Sequence, residues 1–135
     1  DKINIKEATI KTMHKSIKQL NINFEDYTIL VDGNSFTPYM KLINDQYQEI
    51  PYILIPQGDN KYASIAAASI LAKVERDKYI EALCCKFPKL IENYNLLNNK
   101  GYGTKLHIEG IEKHGITKFH RKTFKQCKNK IVISI

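Results

Sequence analysis

The most constraining feature of this sequence is a run from Tyr62 to Phe87 that contains neither glycine nor proline. Small and apolar residues recur in it at steps of three or four, the spacing of one face of an α-helix. The residues on that face are Ala63, Ala67, Ile70 and Val74. Pro88 follows, so the sequence predicts a long helix from Tyr62 to about Phe87, with an alanine-rich first half that approaches a sheet closely and a charged, solvated second half.

Two short apolar runs precede this helix, and each leads to an acidic residue. Tyr27–Val31 is followed by Asp32, and the run within Pro51–Pro56 is followed by Asp59. Runs of this length, rich in β-branched and aromatic residues, are typical of buried strands. The sequence therefore predicts an α/β fold in which the two carboxylates stand at the ends of two strands.

The flanking segments predict two further helices. Apolar residues from Ile5 to Leu20 are near helical spacing, which indicates an amphipathic helix. Residues 93–103 are polar and rich in turn formers, after which Thr104 is placed to cap a helix that runs to about His114. Gly115 suits the left-handed position that closes such a helix. With no internal repeat or linker, we expect a single domain over residues 1–135.

Composition and charge narrow the class of partner. The net charge of +7 and the isoelectric point near 9.3 favour polyanions. Between residues 100 and 130, nine Lys or Arg accompany two acids. The apolar runs fall well short of the roughly 20 residues of a membrane span, and residues 1–7 lack the apolar core of a secretory signal. Three cysteines, two of them adjacent, indicate reduced thiols. We therefore expect a cytoplasmic protein without a membrane partner.

Asp32 and Asp59 admit two interpretations. Paired carboxylates are ligands that hard cations such as Mg²⁺ or Mn²⁺ prefer. An aspartate after a strand is, however, a common turn or cap residue. Position and spacing by themselves favour the turn interpretation.

Four motifs, in this order along the chain, resemble ribonuclease HII. They are VDGN at 31–34, GDNKYASIAAASILAKVERD at 58–77, NKGYGT at 99–104 and GITKFHRKTF at 115–124. The resemblance covers almost all of this chain and implies a ribonuclease H-like fold, of which the chain would carry the later strands and helices. The family's N-terminal DEAGRG motif, which holds an Asp-Glu pair, is absent from these residues, so we expect an N-terminally truncated domain.

The resemblance also implies roles for individual residues. Asp32 and Asp59 match two of the family's four metal-binding, catalytic carboxylates, which use Mn²⁺ or Mg²⁺. Tyr102 matches the tyrosine that stacks at the junction between ribonucleotide and deoxyribonucleotide, although a loop tyrosine is more often a packing residue. His120, Arg121 and Lys122 lie where the family contacts backbone phosphates; a solvated lysine-rich surface is the alternative for this segment.

The implied function is an endoribonuclease that cleaves the RNA strand of RNA-DNA hybrids, or DNA at embedded ribonucleotides, by metal-assisted hydrolysis that gives 5′-phosphate products. The alternative is a non-catalytic, basic fragment that binds RNA-DNA hybrids. We expect a monomer. Lys61 and Lys73 have no assigned role, Asp77 is interpreted as half of an ion pair, and the remaining histidines are interpreted as packing or exposed residues. These histidines are His14, His107 and His114.

Overall fold

In this computed structural model, the described part of the chain runs through one helix, then four short strands, then four further α-helices. The structure describes residues 3–20 and 22–135. The residues outside this description are Asp1, Lys2 and Asn21, and the first two belong to the N-terminal segment that lacks the apolar core of a secretory signal. The chain divides into two units, Lys2–Leu71 and Ala72–Ile135. The predicted α/β class is confirmed, and the single domain over residues 1–135 stays a prediction.

The first unit begins with helix α1, Ile5–Gln19, one residue shorter than predicted. Its N-terminus is capped by the Asn4 side chain, which accepts a hydrogen bond from the Glu7 amide at 2.9 Å. One side of α1 buries Ile17 in a small apolar cluster. The buried members of that cluster are Ile17, Phe24 and Ile50.

The two predicted strands are present and lie side by side. Strand β1, Ile29–Asp32, pairs in parallel with β4, Tyr52–Ile55, so that Asp32 is opposite Ile55. Val31 of β1 and Ile55 of β4, which lie on opposite faces of this sheet, are both buried. Because the strands are parallel and in register, their carboxyl ends lie at the same edge of the sheet.

A hairpin that the sequence analysis missed lies between these strands. Strand β2, Met40–Ile43, pairs antiparallel with β3, Gln46–Glu49. The two-residue turn consists of Asn44 and Asp45, both with positive φ, as a type I′ hairpin turn requires.

Helix α2 extends over Ala63–Lys86, within one residue of the prediction at each end. The apolar face inferred from the three- and four-residue periodicity is not buried. Ile70 is 63% exposed and Val74 44% exposed, and Ala63 and Ala67 are exposed as well. The buried residue of this half is Ile65, which lies about 200° around the helix from Ala63 at 3.6 residues per turn.

The second unit packs three short helices against the end of α2. They are α3, Lys89–Tyr94; α4, Leu96–Asn99; and α5, Lys105–His114. The buried core residues of this unit are Cys84, Leu90, Tyr94, Leu96, Ile111, Ile116 and Cys127. Gly110 allows α5 to approach α3, because a Cβ at this position would lie 2.0 Å from a main-chain oxygen of α3.

The ends of α5 follow the prediction in part. Thr104 caps the helix by accepting from the His107 amide. Gly115 has the expected positive φ of 83°, but its ψ of −158° is not that of a left-handed helical residue. Gly115 accommodates a close crossing of the chain, since a Cβ would lie 2.5 Å from the Ile131 carbonyl oxygen.

The state of the cysteines agrees with the prediction from the sequence. Cys84, Cys85 and Cys127 are free thiols, as predicted. Burial raises the pKa of the Cys84 and Cys127 thiols, so both are protonated at neutral pH. No helix in the described part of the chain is long and apolar enough to cross a membrane.

Candidate active site

The two predicted carboxylates belong to the first unit and follow neighbouring strand ends. Asp32 is the last residue of β1, and Asp59 lies in a 3₁₀ turn, Gly58–Asn60, that follows β4. Asp32 Oδ1 accepts a hydrogen bond of 2.8 Å from the Gly58 amide. The first carboxylate is thus bonded to the residue immediately before the second, and both aspartates are exposed.

Local backbone geometry explains why this turn is possible. Gln57 adopts a left-handed conformation with φ 56° and ψ 45°, which redirects the chain after β4. Gly58 is buried, and a Cβ there would lie 2.6 Å from Ile65 Cδ1 and 3.4 Å from Asp32 Oδ1. Lys61 secures the other side of the turn by donating to the Pro56 carbonyl at 2.8 Å. A side chain at position 58 would therefore disturb both the packing of α2 and the Asp32 contact.

The carboxylates at this sheet edge are the type of ligand that a hard divalent cation prefers, but two carboxylates are fewer than a complete metal site needs. Two exposed carboxylates supply oxygen ligands of the type that Mg²⁺ and Mn²⁺ take. Within residues 3–20 and 22–135, the structure shows no group of three or more His, Cys, Asp or Glu side chains placed to hold a metal. Asp32 and Asp59 would therefore form part of a ligand set.

In the second unit, Tyr102 is held by its own loop. Lys100 and Gly101 have positive φ values of 49° and 87°. The Gly101 amide donates to Asn99 Oδ1 at 2.9 Å, and the Tyr102 amide donates to the Asn99 carbonyl at 2.8 Å. Tyr102 is 66% exposed, so it is available to a ligand.

A chain of hydrogen bonds connects this loop with His120. The Thr117 amide donates to His120 Nδ1 at 3.0 Å, His120 Nε2 lies 3.2 Å from His107 Nε2, and His107 Nδ1 lies 2.9 Å from the Tyr102 carbonyl oxygen. Since a carbonyl only accepts, His107 carries its proton on Nδ1; since an amide only donates, His120 carries its proton on Nε2. The chain is satisfied when both rings are neutral, and we call it the histidine relay.

The pKa of His120 agrees with two neutral rings. Burial and, to a smaller extent, the adjacent His107 together lower the pKa of His120 from 6.5 to about 4. The Thr117 backbone contact acts in the opposite direction but is weaker. At neutral pH His120 is therefore uncharged, with both ring nitrogens bonded inside the chain.

The basic segment after His120 is more open. Arg121 and Lys122 are exposed, and the Arg121 guanidinium lies 4.3 Å from the centroid of the Phe124 ring. Tyr102, His120 and Arg121 line one cavity of about 470 Å³ within this unit, and Lys122 is not among its lining residues. The predicted substrate-binding residues are thus gathered in part, while their roles stay predictions.

Sequence reasoning treated His107 as a packing or exposed residue and missed its link to Tyr102. It is buried as packing would require, but its ring joins two of the predicted binding residues. The available signal was its position three residues after the capping Thr104, which directs the side chain back toward the loop.

Comparison with known proteins gives one consistent result. The family model for ribonuclease HII matches residues 1–127. The chain is 49% identical over 124 residues to ribonuclease HII of Parabacteroides distasonis, covering 92% of this chain and 55% of that protein. The identity to ribonuclease HII of Christiangramia forsetii is 46%, covering 98% of this chain and 60% of that protein. The identity to ribonuclease HII of Rickettsia akari is 45%, covering 94% of this chain and 58% of that protein. The chain thus spans 55–60% of the length of these curated relatives, and it belongs to the ribonuclease HII family.

Proposed function

We propose that this chain is part of an endoribonuclease that cleaves the RNA strand of RNA-DNA hybrids, or DNA at embedded ribonucleotides, by divalent-metal-assisted hydrolysis. Family membership supports the nuclease class. The observation that supports the site is the 2.8 Å bond from the Gly58 amide to Asp32 Oδ1, since it joins Asp32 to the residue immediately before Asp59. We also propose that the chain forms the later part of a ribonuclease H-like domain.

In this proposal Asp32 and Asp59 hold Mg²⁺ or Mn²⁺ together with carboxylates from the Asp-Glu pair that the family resemblance implies. A bound divalent cation would activate water and stabilise the departing oxyanion of a phosphodiester, leaving a 5′-phosphate. The Gly58 amide orients Asp32 by holding Oδ1. The bond leaves the second oxygen of this exposed carboxylate for a ligand.

Substrate contacts are assigned to the second unit. Tyr102 offers an exposed aromatic ring for stacking on a sugar or base, which is how proteins distinguish RNA from DNA when a hydroxyl is also read. Arg121 and Lys122 supply exposed positive charge for backbone phosphates. His120 would contribute shape and hydrogen bonding rather than charge, because it is neutral above about pH 4.

A non-catalytic protein that binds hybrids is the second candidate. The observation that favours it is the lack of a third metal-binding side chain around Asp32 and Asp59 in the part of the chain that the structure describes. The same basic segment and Tyr102 would then bind hybrid without cleavage. A monomeric state and a cytoplasmic location accompany both candidates as predictions.

The decisive experiment compares carboxylate variants in the full-length gene product. Asp32→Asn and Asp59→Asn keep the shape of the side chain but remove the negative charge, so we expect cleavage to fall by at least about 100-fold while hybrid affinity stays close to normal. Asp45→Asn is the matched control, because Asp45 is an exposed hairpin-turn aspartate whose positive φ asparagine tolerates well.

Rates would be measured on a uniform RNA-DNA hybrid and on a duplex with one embedded ribonucleotide, with Mg²⁺ or Mn²⁺ added. Normal turnover in Asp32→Asn or Asp59→Asn would remove that residue from the site. Hybrid binding without any cleavage by the unaltered protein would favour the non-catalytic candidate.

A further inference from the structure

Arg76, on α2, contacts the Tyr102 loop in two ways. Its Nη2 atom donates a hydrogen bond of 2.6 Å to the Lys100 carbonyl oxygen. Its Cζ atom lies 5.1 Å from the centroid of the Tyr102 ring, within the range of a cation–π contact. One side chain therefore fixes the main chain before Tyr102 and also covers one face of its ring.

The contact depends on the shape of arginine. A guanidinium is planar and carries several donors, so it stacks on a ring and donates to a carbonyl at the same time; a lysine ammonium has no flat face. The Arg76–Asp77 pair predicted from the sequence is present at 3.9 Å, but at the surface it contributes little. Gly101, beside this contact, has a φ of 87°, a backbone conformation that residues with a side chain rarely adopt.

A second tether on the same helix strengthens the arrangement. Glu81, five residues after Arg76, forms an ion pair of 2.7 Å with Lys100 Nζ. Helix α2 thus holds Lys100 by its main chain through Arg76 and by its side chain through Glu81. With its backbone and one ring face fixed, Tyr102 has its other face left for a ligand.

We propose that Arg76 is a positioning residue for Tyr102: it covers one face of the ring, so that the opposite face and the hydroxyl are presented to the sugar at a ribonucleotide junction. This inference rests on the proposed function. A ring that is oriented before binding loses less conformational entropy when it stacks. Arg76 should therefore affect discrimination between substrates more than general affinity for duplexes.

The test is a double-mutant cycle in the full-length gene product, with Arg76→Ala, Tyr102→Ala and the double variant. The measured quantity is kcat/KM on a duplex with one ribonucleotide and on a uniform RNA-DNA hybrid. We expect Arg76→Ala to lower the first value by about tenfold and the second by less. In the Tyr102→Ala background, Arg76→Ala should have almost no further effect on the ratio of the two rates.

Two further variants separate positioning from charge. Arg76→Lys keeps the charge without the planar face, so we expect an intermediate ratio. Lys78→Ala removes a positive charge from the same helix, where it pairs with Glu75, and should leave the ratio unchanged. Independent, multiplying effects of Arg76→Ala and Tyr102→Ala would overturn the proposal.

Hydrogen exchange of the amides at 100–104 provides a readout that does not require cleavage. Arg76→Ala should accelerate exchange there, and Lys78→Ala should not. Unchanged exchange in Arg76→Ala, or faster exchange with an unchanged substrate ratio, would refute the positioning role. Faster exchange in a protein that cleaves neither substrate would overturn the proposed function but leave Arg76 as the residue that holds the loop.

Discussion

The histidine relay predicts that the second unit loses stability when the pH falls below neutrality. The folded protein keeps His120 neutral, with a pKa of about 4, whereas an unfolded chain would protonate the same ring near its ordinary value of 6.5. As the pH falls from 6.5 toward 4, the unfolded state therefore gains a proton that the folded state does not bind. The stability that the neutral ring provides above pH 6.5 is lost progressively over this window.

The magnitude follows from the same two values. Between about pH 7.5 and about pH 5, proton binding by the unfolded chain alone would lower the free energy of unfolding by about 2 kcal/mol at most. His120 is only partly buried, so solvent screening reduces this bound, and we expect about 1–2 kcal/mol. Protonation at Nδ1 would also break the hydrogen bond from the Thr117 amide and leave the Thr117 hydroxyl, 2.9 Å from Nδ1, as the acceptor.

The assay is urea denaturation of the full-length gene product at about pH 7.5, 6 and 5, where most carboxylates remain ionised. His120→Gln removes the titrating ring and should flatten the dependence on pH, although its stability at pH 7.5 will also be lower. His114→Gln is the matched control, since it removes a histidine of the same unit that is not part of the relay. A titration of the His120 ring by NMR gives its pKa directly.

The reasoning would be refuted if the unaltered protein were equally stable at these three pH values. It would also be refuted if His120→Gln retained the full pH dependence, or if the NMR titration of His120 gave a midpoint near 6.5. An equal flattening in His114→Gln would show that the effect does not belong to the relay.

Three further predictions concern binding and packing. Arg121→Ala and Lys122→Ala should each weaken binding to all duplexes and lower the slope of log affinity against log salt by about one; an unchanged slope would place these charges away from the nucleic acid. Tyr102→Ala should lose on the order of 1–3 kcal/mol of stacking free energy and should slow cleavage at a ribonucleotide junction more than cleavage of a uniform hybrid. Tyr102→Phe keeps the ring and should bind nearly normally. Unchanged rates in a folded Tyr102→Ala protein would show that Tyr102 is a packing residue. Gly110→Ala should lower the free energy of unfolding by at least about 2 kcal/mol, because the added Cβ meets the α3 backbone. Gly103→Ala is the control and should leave the free energy of unfolding unchanged, because no heavy atom lies within 4 Å of the added Cβ. Equal melting temperatures of the two variants would contradict this prediction.

The elements that the sequence predicts well are those with their own periodic signal. Helix α2 and strands β1 and β4 combine apolar content with clear breakers at their ends. The β2–β3 hairpin lacks such a signal because its residues are largely exposed, and Asn44-Asp45 at its turn is the mark that identifies it. Helices α3 and α4, of six and four residues, are too short for a period to register and end at left-handed residues, Asn95 and Lys100.

The candidate site, too, could be predicted from the sequence only where it depends on local features of the chain. Strand ends are local features, so the placement of Asp32 and Asp59 at one sheet edge could be predicted from two strands and their order. The histidine relay joins residues 13 positions apart through a side-chain contact, and the Arg76 contact joins residues 24 positions apart. Contacts of this kind depend on how helices pack, which no local pattern encodes.

The parallel pair of β1 and β4 also affects how this chain behaves in solution. Among the described residues, each of these strands has a hydrogen-bonded neighbour on one side. The outer edges carry unpaired amides and carbonyls, and β4 also exposes half of Ile53. Such an edge is a ready template for another strand, about 4.8 Å away. A strand brought alongside either edge, whether from a peptide or from another segment of the same protein, would therefore compete for these hydrogen-bonding groups.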